Sequence, residues 1–402
     1  MIILPDKNIP RSKILMPVFN SEWRTPSLAQ PKDTNGNENK TMFRATAKTN
    51  DGVAIWNGWF DDRDDFDAFI YAVALGTLKQ ERSLWDLASP SWQPWMGDIL
   101  SYEFATVTFL SSSPGSNQSY STPSDWNNSN NKIECLGGGG SGGVAGQTGT
   151  VTFKCGTGGG GGGYGYYTNL TLSGSITYQI GIAGSAVSQT TYPNTATGNN
   201  GGATWFNGTT YSGASCGGDS GKGGNGSITA ATLNGGSGGT GFGSGSNSGG
   251  RGGTFTYVSG NPRLSTGGGG AAGPNGSGNN GVDTSSGTNG TVTAGGSGDA
   301  GSGGAGGSGV TGANGTSGSN GVEWQSSPAY GSGGGGGSTT SPNTSVTAGS
   351  GGNYGGGGGG CSSNAGNPVV SGAGKQGLIV ITYTPSTGST PTSGFNLSML
   401  GM

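Results

Sequence analysis

Runs of glycine alternate with short strand-forming segments through most of this chain. Between residues 137 and 377, tracts such as GGGGSGG and GGGGGG are separated by segments rich in β-branched and aromatic residues. A glycine tract has no side chains to pack, so it either remains a flexible linker or packs its backbone directly against another backbone. The choice between linker and packed backbone decides what this chain can fold into.

The composition changes just after residue 136, and this change predicts the domain organisation. Most charged residues precede it, while glycine, serine, threonine and asparagine dominate the remainder of the chain. Apolar residues make up 29% of the whole chain and charged residues 9%, too few apolar residues for a conventional core along the full length. We predict an N-terminal attachment domain over 1–103, a glycine-rich module over 104–385 and a flexible tail over 386–402.

The N-terminal domain is predicted to be small and α+β. Alternating segments at 41–49 and 53–60 flank an Asn-Asp-Gly sequence, which favours a hairpin because glycine adopts positive φ readily. Apolar residues recur at helical spacing over 61–76, after two aspartates that suit a helix N-terminus. A second short helix is predicted over 81–88.

Two groups of side chains in this domain have candidate roles. The aspartates near the start of the first helix are interpreted as a solvated helix N-terminus, and a calcium site is the alternative although EF-hand spacing is absent. They are Asp61, Asp62, Asp64, Asp65 and Asp67. The tryptophans supply bulk for a core or for a surface that docks on a larger particle. The particle-docking candidates are Trp56, Trp59, Trp85, Trp92 and Trp95.

Strand-forming segments recur from residue 102 to the end of the module, and helical periodicity is absent there. The predicted strands are 102–110, 132–137, 150–156, 170–184, 203–206, 254–258, 322–324 and 378–384. The last segment, LIVITYT, needs partners, and ATVTFL and KIECL at the start of the module are the natural ones. Their pairing would close the module into one unit that is mostly β with little α-helix.

The glycine tracts between these strands predict polyglycine II helices. This extended helix has three residues per turn and a rise of about 3.1 Å, and its N–H and C=O groups point outward. Without side chains, neighbouring helices can approach until these groups bond each other. We predict a bundle of antiparallel polyglycine segments joined by Asn-Gly and Ser-Gly turns. A flexible Gly/Ser linker is the alternative, whereas collagen is excluded because a sustained Gly-X-Y register is missing.

Several functional classes are excluded by what the sequence lacks. The net charge is -3 without a basic run, so nucleic acid is not an expected partner. No apolar run approaches about 20 residues, so membrane insertion is not expected, and the start of the chain predicts no classical signal peptide. With no histidine, a serine-histidine-acid triad is impossible, and neither GGDSGKG nor GAGKQ completes a phosphate-binding loop. We predict no catalytic residues, no cofactor and no metal site.

The four cysteines lie in the glycine-rich part, without a C-x-x-C pair. We expect small buried thiols, and disulfide pairing is the alternative. They are Cys135, Cys155, Cys216 and Cys361.

Aromatic residues within the module are candidate receptor contacts, because exposed Tyr and Trp offer rigid contact area at little entropic cost. The alternative is that they cap the open ends of a glycine core. The candidates are Tyr164, Tyr166, Tyr167, Trp205, Tyr211, Tyr257, Trp324, Tyr330 and Tyr354.

A family resemblance rests on the order of landmarks in the module, which covers about 104–385. The landmarks are TVTFL, SYSTPSDWNNSNNKIECLGGGGSGG, GGGGGGYGYYTNLTLSGSITYQIGIAG, GGATWFNG, GGGGAAGPNGSGNNG and GAGKQGLIVITYTP. In this order they resemble glycine-rich proteins encoded in phages and bacterial prophages, often beside tail genes. The overall plan is also similar to the distal tail-fibre adhesins of T-even-like phages. That similarity implies stacked polyglycine II helices and free-end loops that touch a host receptor.

Together these features predict a non-enzymatic phage virion protein, a tail fibre, spike or adhesin. It would be assembled in the host cytoplasm, attach to the particle through its N-terminal domain and present the glycine module. Expected partners are other virion proteins and a host cell-surface receptor, either a glycan or an outer-membrane protein. A homotrimer and a single-chain sandwich are both compatible with the sequence. The alternatives are a capsid fibre or decoration protein and a bacterial glycine-rich surface or matrix protein.

Overall fold

The chain divides into two compact units, Met1–Phe104 and Ala105–Met402. The structure is a computed structural model. In the first unit it describes only the backbones of three strands, and in the second unit it describes most residues. The described residues of the second unit are 105–146, 154–190, 194–229, 232–259, 263–285, 289–299, 303–342, 344–363 and 367–386. The predicted helices at 61–76 and 81–88, the aspartate cluster, the tryptophan side chains and the tail from residue 387 lie outside the described residues.

The first unit contains a three-stranded antiparallel sheet in the order β1-β2-β3. The strands are β1 (Glu22–Arg24), β2 (Met42–Lys48) and β3 (Ala54–Phe60). Strands β2 and β3 are antiparallel, with a register shift between Ala47 and Lys48. This antiparallel pairing confirms the hairpin predicted around the Asn-Asp-Gly sequence.

The second unit consists of short strands linked by extended glycine-rich segments. Its strands are β4 (Thr106–Leu110), β5 (Asn117–Ser121), β6 (Asn131–Leu136), β7 (Val144–Gly146), β8 (Lys154–Gly156), β9 (Tyr164–Thr168), β10 (Ser175–Gln179), β11 (Ser188–Gln189), β12 (Asn194–Ala196), β13 (Thr204–Phe206), β14 (Cys216–Gly218), β15 (Gly226–Ser227), β16 (Thr232–Leu233), β17 (Gly241–Phe242), β18 (Gly245–Asn247), β19 (Phe255–Thr256), β20 (Arg263–Ser265), β21 (Thr291–Val292), β22 (Val310–Thr311), β23 (Gln325–Ser326), β24 (Ala329–Tyr330), β25 (Thr339–Ser341), β26 (Val346–Thr347), β27 (Cys361–Ser363), β28 (Val369–Val370) and β29 (Leu378–Tyr383). Among the described residues, helical structure is limited to one 3-10 turn at Tyr211–Gly213. The predicted mostly-β fold with little helix is confirmed.

Two five-stranded sheets pack at one end of the module. Their strand orders are β18-β9-β6-β29-β4 and β17-β14-β13-β10-β5. Strand β29 lies antiparallel between β6 and β4, which confirms the predicted closure of the last segment onto the first two. Ile133, Ile180, Phe206, Ile379 and Ile381 are fully buried in the apolar core at this end. We call it the proximal end, because the described part of the module both begins and finishes there.

Glycine tract 137–143 shows how the extended segments are held. Its first, fourth and seventh N–H groups donate to tract 157–163, its second and fifth to tract 197–203, and its third and sixth to tract 371–377, all at 2.8–3.0 Å. A neighbour that recurs every third residue is the signature of a helix with three residues per turn. The tract is therefore a polyglycine II helix, as predicted.

The carbonyl groups of the same tract accept hydrogen bonds from three further tracts. The donors belong to tracts 181–187 and 219–225 and to the tract 355–360 with the cysteine that comes directly after it. Tract 137–143 thus has six hydrogen-bonded neighbours, the number expected for rods packed side by side in a hexagonal array.

The same bonding continues through the unit and builds a hexagonal array, which we call the glycine lattice. Its rows contain four, five, four and three tracts. In row order they are 181–187, 371–377, 348–352 and 314–321; 197–203, 137–143, 355–360, 331–338 and 303–309; 219–225, 157–163, 266–272 and 293–299; and 234–240, 248–254 and 277–283.

The prediction that all tracts run antiparallel is wrong. Tract 137–143 is antiparallel to 157–163 but parallel to 355–360, because Gly358 donates to Gly140 and Cys361 donates to Gly143. A polyglycine II helix presents donors and acceptors all around its axis, so a neighbour of either direction can be bonded. Consecutive tracts alternate in direction, and tracts brought together from separate parts of the chain match either way.

The glycine content of a tract and the burial of its residues indicate its position in the lattice. The interior tracts with six neighbours are 137–143, 157–163, 266–272, 331–338 and 355–360, and every residue in them is buried. A Cβ built on Gly160 would lie 2.1 Å from the carbonyl oxygen of Ser237, so side chains are excluded there. At the rim, tract 234–240 reads NGGSGGT and exposes every third residue.

Asparagine side chains complete the lattice at its rim. The N–H of Gly223 donates to Asn200 Oδ1 and that of Arg251 to Asn280 Oδ1, both at 2.9 Å. Each amide oxygen stands where the carbonyl of a further tract would lie, so it satisfies a backbone donor that has no neighbouring helix.

The end of the lattice opposite the proximal end, which we call the distal end, is covered by four further sheets of two to five short strands. They have the orders β12-β7-β27-β25-β22, β15-β8-β20-β21, β11-β28-β26 and β16-β19. Two small apolar clusters lie under them, one around Val144 and Val369 and the other around Phe255 and Leu264.

One predicted strand is absent. Residues 322–324 form a bend, and the strands lie at β23 and β24, which pair with each other. The side chain of Glu323 bonds tract 331–338 instead: its carboxyl group accepts a hydrogen bond from the backbone N–H of Ser332 at 3.0 Å.

The four cysteines are free and buried, which confirms the expectation of buried thiols. Cys135 Sγ lies 3.6 Å from Cys216 Sγ, and burial together with this contact raises the pKa of the Cys135 thiol. Burial also raises the pKa of Cys155 and Cys361. Protonated thiols are poor nucleophiles, so Cys135, Cys155 and Cys361 act as small packing residues. Cys216 is fully buried beside Cys135.

We expect Gly160→Ala to destabilise the protein by about 2–3 kcal/mol, because its methyl group has to displace a neighbouring backbone. Gly213→Ala is the matched control: Gly213 is exposed, and its added Cβ would meet only the Thr210 side chain at 3.3 Å. This control should change stability by less than about 1 kcal/mol. Chemical denaturation followed by tryptophan fluorescence measures both. Equal, small effects would contradict a packed lattice.

Candidate functional site

The glycine lattice separates two chemically different ends. The proximal end carries β4 and β29, the first and last described strands of the module, whereas the distal end carries none of the chain connections to residues before 105 or after 386. A seven-residue tract at about 3.1 Å per residue places the two ends about 20 Å apart. The two ends of the module are therefore distinguishable, and a surface contact made by one end differs chemically from a contact made by the other.

Most of the predicted receptor-contact aromatics lie at the proximal end. Those on its two five-stranded sheets or beside them are Tyr164, Tyr166, Tyr167, Trp205, Tyr211, Trp324, Tyr330 and Tyr354. Tyr257 lies at the distal end, where it packs against the cluster of Phe255 and Leu264. The structure thus brings together eight of the nine candidates, at the end where the chain enters and leaves the module.

Two of these rings are inaccessible. Tyr164 is 1% exposed and Trp205 is 3% exposed. The Tyr164 hydroxyl donates to Glu134 Oε1 at 2.5 Å, and the same oxygen accepts from Lys132 Nζ at 2.8 Å. Burial, and then the Glu134 charge, raises the pKa of Tyr164 far above its usual range. This phenol is a structural hydrogen-bond donor inside the fold.

The remaining proximal candidates are half-buried. Tyr167 packs against the apolar core around Ile133, and Tyr211 contacts Phe242 edge-on. Tyr330 and Tyr354 stack with each other and with Phe109, beside Tyr166 and Trp324. The rings of Phe109 and Tyr330 are 4.1 Å apart, and those of Tyr330 and Tyr354 are 5.7 Å apart and parallel. They cover the apolar cluster that contains Leu136 and Leu378. In this position the rings close the ends of interior glycine tracts.

The sequence analysis did not predict one pair of carboxyl groups, those of Asp299 and Glu323. Ser332 joins Asp299, at the end of tract 293–299, to Glu323. The Ser332 Oγ accepts a hydrogen bond from the Asp299 N–H at 3.1 Å and donates one to Glu323 Oε1. Asp299 Oδ2 accepts from the Asn275 N–H at 2.8 Å. Burial, and then hydrogen bonding to Asp299, raises the pKa of Glu323 to about 8. Isolated acids in glycine-rich sequence give no signal that they will meet, because tracts that are far apart in the sequence can also be lattice neighbours.

The distal end has a different charge arrangement. Arg251 Nη2 pairs with Asp283 Oδ2 at 2.6 Å on the surface of two rim tracts, and the Arg251 hydrogen bond holds the pKa of Asp283 below its usual range. Lys154 and Arg263 are buried side by side at the start of β8 and β20. The sequence analysis assigned no role to these four charged residues.

Within the described ranges, no three His, Cys, Asp or Glu side chains are grouped as metal ligands. That same part of the chain contains no helix with the length and hydrophobicity of a membrane span. The aspartate cluster at 61–67 and the particle-docking tryptophans lie outside the residues whose side chains are described.

Comparison with known proteins gave no match to any protein-family model and none to a curated protein. The functional assignment therefore depends on the geometry of the two ends.

We expect the melting temperature of the protein to fall by about 3 °C or more as pH rises from 5 to 9. The folded state holds the Glu323 proton up to about pH 8, whereas the unfolded chain releases it near the ordinary value of 4.5. Folding therefore takes up a proton between these values, and stability falls as pH rises through them. Glu323→Gln, neutral at every pH, should flatten the profile.

Asp283→Asn is the control for this measurement. Its pKa is lowered in the fold, so its contribution to stability is lost only as pH falls below the ordinary range of an aspartate. Its profile between pH 5 and 9 should match that of the unmodified protein. A Glu323→Gln profile as steep as the unmodified one would rule out Glu323 as the titrating group. Differential scanning calorimetry gives all three curves.

Proposed function

We propose that this chain is a structural protein of a phage particle, a tail fibre, spike or adhesin component. It attaches through residues 1–103 and presents the distal end of its glycine module to the host surface. The observation that carries the proposal is the polarity of the module: its first and last described strands, β4 and β29, pair at the proximal end. The distal end is then the tip.

The glycine lattice supports a role in recognition because it is a stiff support for surface loops. Binding loops on a rigid scaffold lose less conformational entropy when they meet a partner. Backbone hydrogen bonds between non-consecutive tracts fix the positions of all the short sheets at the distal end. Such a tip suits a fixed surface feature such as a glycan or an outer-membrane protein.

The resemblance of the landmark order to glycine-rich phage and prophage proteins supports the same assignment, as does the likeness of the plan to distal tail-fibre adhesins. The other virion proteins would contact the N-terminal unit. The lattice closes within a single chain, so the proposal does not require a trimer. It requires no catalysis.

Purified particles test where the protein belongs. Mass spectrometry of density-purified virions should detect this chain in a constant ratio to the tail proteins. A constant ratio to the major capsid protein in tailless heads would favour a capsid fibre or decoration protein. Detection in the cell envelope or matrix and never in particles would favour the bacterial surface protein and overturn the proposal.

Binding to cells tests the adhesin role. We expect fluorescently labelled full-length protein to bind susceptible cells, and a variant lacking residues 104–385 to lose this binding. Tyr257→Ala at the distal end should weaken binding at least threefold, whereas Tyr211→Ala at the proximal end should not. Binding by the N-terminal unit alone, or equal loss in the two tyrosine variants, would contradict a distal recognition tip. Flow cytometry with titrated protein gives the affinities.

A further inference from the structure

Two cysteine side chains meet between the two five-stranded sheets of the proximal end. Cys135 lies on β6 and Cys216 on β14, and their Sγ atoms are 3.6 Å apart. Both residues are fully buried, in the apolar core that also contains Ile133 and Phe206. The fold thus brings into sulfur–sulfur contact two cysteines that are 81 positions apart in the sequence.

Glycines beside the two cysteines let the sheets approach closely at this point. A Cβ built on Gly165, the register partner of Cys135 in β9, would lie 2.4 Å from the carbonyl oxygen of Gly217. One built on Gly218 would lie 2.9 Å from the carbonyl oxygen of Cys135. A disulfide needs Cβ atoms about 3.8 Å apart, far less than the usual spacing of about 10 Å between packed sheets. The close backbone approach makes this short reach available to the two cysteines.

The two cysteines differ in how firmly their backbones are held. Cys135 lies in a strand that is paired on both sides, with β9 and with β29. Cys216 is the first residue of β14 and directly follows loop 207–215, whose residues 209, 210, 212 and 213 are exposed. Strand ends beside surface loops open at a lower free energy than the centre of a sheet. Cys216 can therefore shift toward Cys135 without a change in the glycine lattice.

The other two cysteines have a different environment, although they are equally buried. Cys155 lies in the apolar cluster around Phe255, and Cys361 lies in the separate cluster around Val144. Each is a free thiol among apolar side chains. They are matched controls for the paired cysteines, because they share the burial but not the sulfur–sulfur contact.

We propose that Cys135 and Cys216 are an oxidative modification site, at which a peroxide converts the two thiols into a disulfide that joins the two proximal sheets. Hydrogen peroxide oxidises one thiol to a sulfenic acid, and its second oxygen leaves as water. The sulfur of the other cysteine then attacks the sulfenic sulfur, so that the S–S bond forms, the S–O bond breaks and a second water leaves. The two thiols lose two protons and two electrons, which the peroxide takes up.

Burial makes this oxidation slow. Burial, and then the contact with Cys216, raises the pKa of the Cys135 thiol, and the thiolate is the form that reacts. Oxidation therefore waits for a local opening at the start of β14, which admits the small peroxide molecule. In the reduced protein both thiols remain packing residues.

The use of such a bond rests on the proposed function. A phage particle is assembled in the reducing cytoplasm and is released into an oxidising medium. A disulfide formed after release would fix the two sheets at the end where the chain enters and leaves the module. Formation of the bond itself does not depend on that function.

Mass spectrometry of the full-length protein tests the site. We expect the reduced, folded protein to lose two hydrogens during incubation with hydrogen peroxide, and peptide mapping without reductant to place the bond between residues 135 and 216. Cys155→Ala and Cys361→Ala should form the same bond at the same rate, whereas Cys135→Ala and Cys216→Ala should not. Oxidation of single thiols without a bond, or a mixture of all cysteine pairings, would overturn the proposal.

Thermal stability gives a second readout that needs no variant and remains informative if Cys135→Ala folds poorly. The bond closes a long loop of the unfolded chain, so the oxidised protein should melt about 5 °C or more above the reduced protein. Dithiothreitol added to the unfolded protein before refolding should remove the difference. A bonded protein that melts at or below the temperature of the reduced one would show that the fold does not accommodate the disulfide, which contradicts the site.

Thiol trapping in released material separates this proposal from the proposed function. Alkylation with iodoacetamide, before and after peroxide treatment of purified particles, measures the bonded fraction of this chain. A bonded fraction that rises with treatment supports both. Particles that contain the chain with all four thiols still reduced after treatment keep the proposed function and overturn the disulfide site. A purified chain that forms the 135–216 bond but is absent from every particle keeps the site and removes the proposed function.

Discussion

Hydrogen bonds between the backbones of neighbouring glycine tracts are the interaction on which this fold depends. In most proteins side chains fill the interior and backbone groups are satisfied within helices and sheets. Here the interior is the backbone itself, and each interior tract bonds six neighbours. Glycine normally costs conformational entropy on folding. That cost is offset because nearly every residue of an interior tract gains a donor and an acceptor contact, and because no side-chain entropy is lost.

The sequence contains enough to predict the elements but not their arrangement. The β-branched segments TVTFL, KIECL and LIVITY predicted their own pairing correctly, because alternating apolar residues specify a sheet face and its partners. The interior tracts could be predicted to be polyglycine II helices from their glycine content and their alternation with strand-forming segments, with a flexible linker as the alternative. Which tract neighbours which, and in what direction, could not be derived, since identical glycines present the same donors and acceptors everywhere. The rim residues carry that information, as Asn200 and Asn280 show.

The candidate site was less predictable than the fold, for a related reason. Aromatic residues stand out in glycine-rich sequence and were singled out, yet Tyr164 and Trp205 are buried at the proximal end. Lys154 and Arg263 have no sequence signature, because each is a lone charge among small residues. Only the parallel pairing of β8 with β20 brings them together. In a lattice of this kind, side chains from tracts that are far apart in the sequence become neighbours, so spacing along the chain carries little information about their contacts.

The hexagonal array also limits how such a protein can change in size. Each tract spans the lattice from one end to the other, so lengthening a single tract would push its ends out of the sheets that hold them, unless all its neighbours grew as well. Two extra tracts joined by a turn, by contrast, could be laid along an existing row at the rim, starting and finishing at the same end. A single insertion can therefore widen the lattice, whereas the distance between its two ends changes only when all tracts change length together.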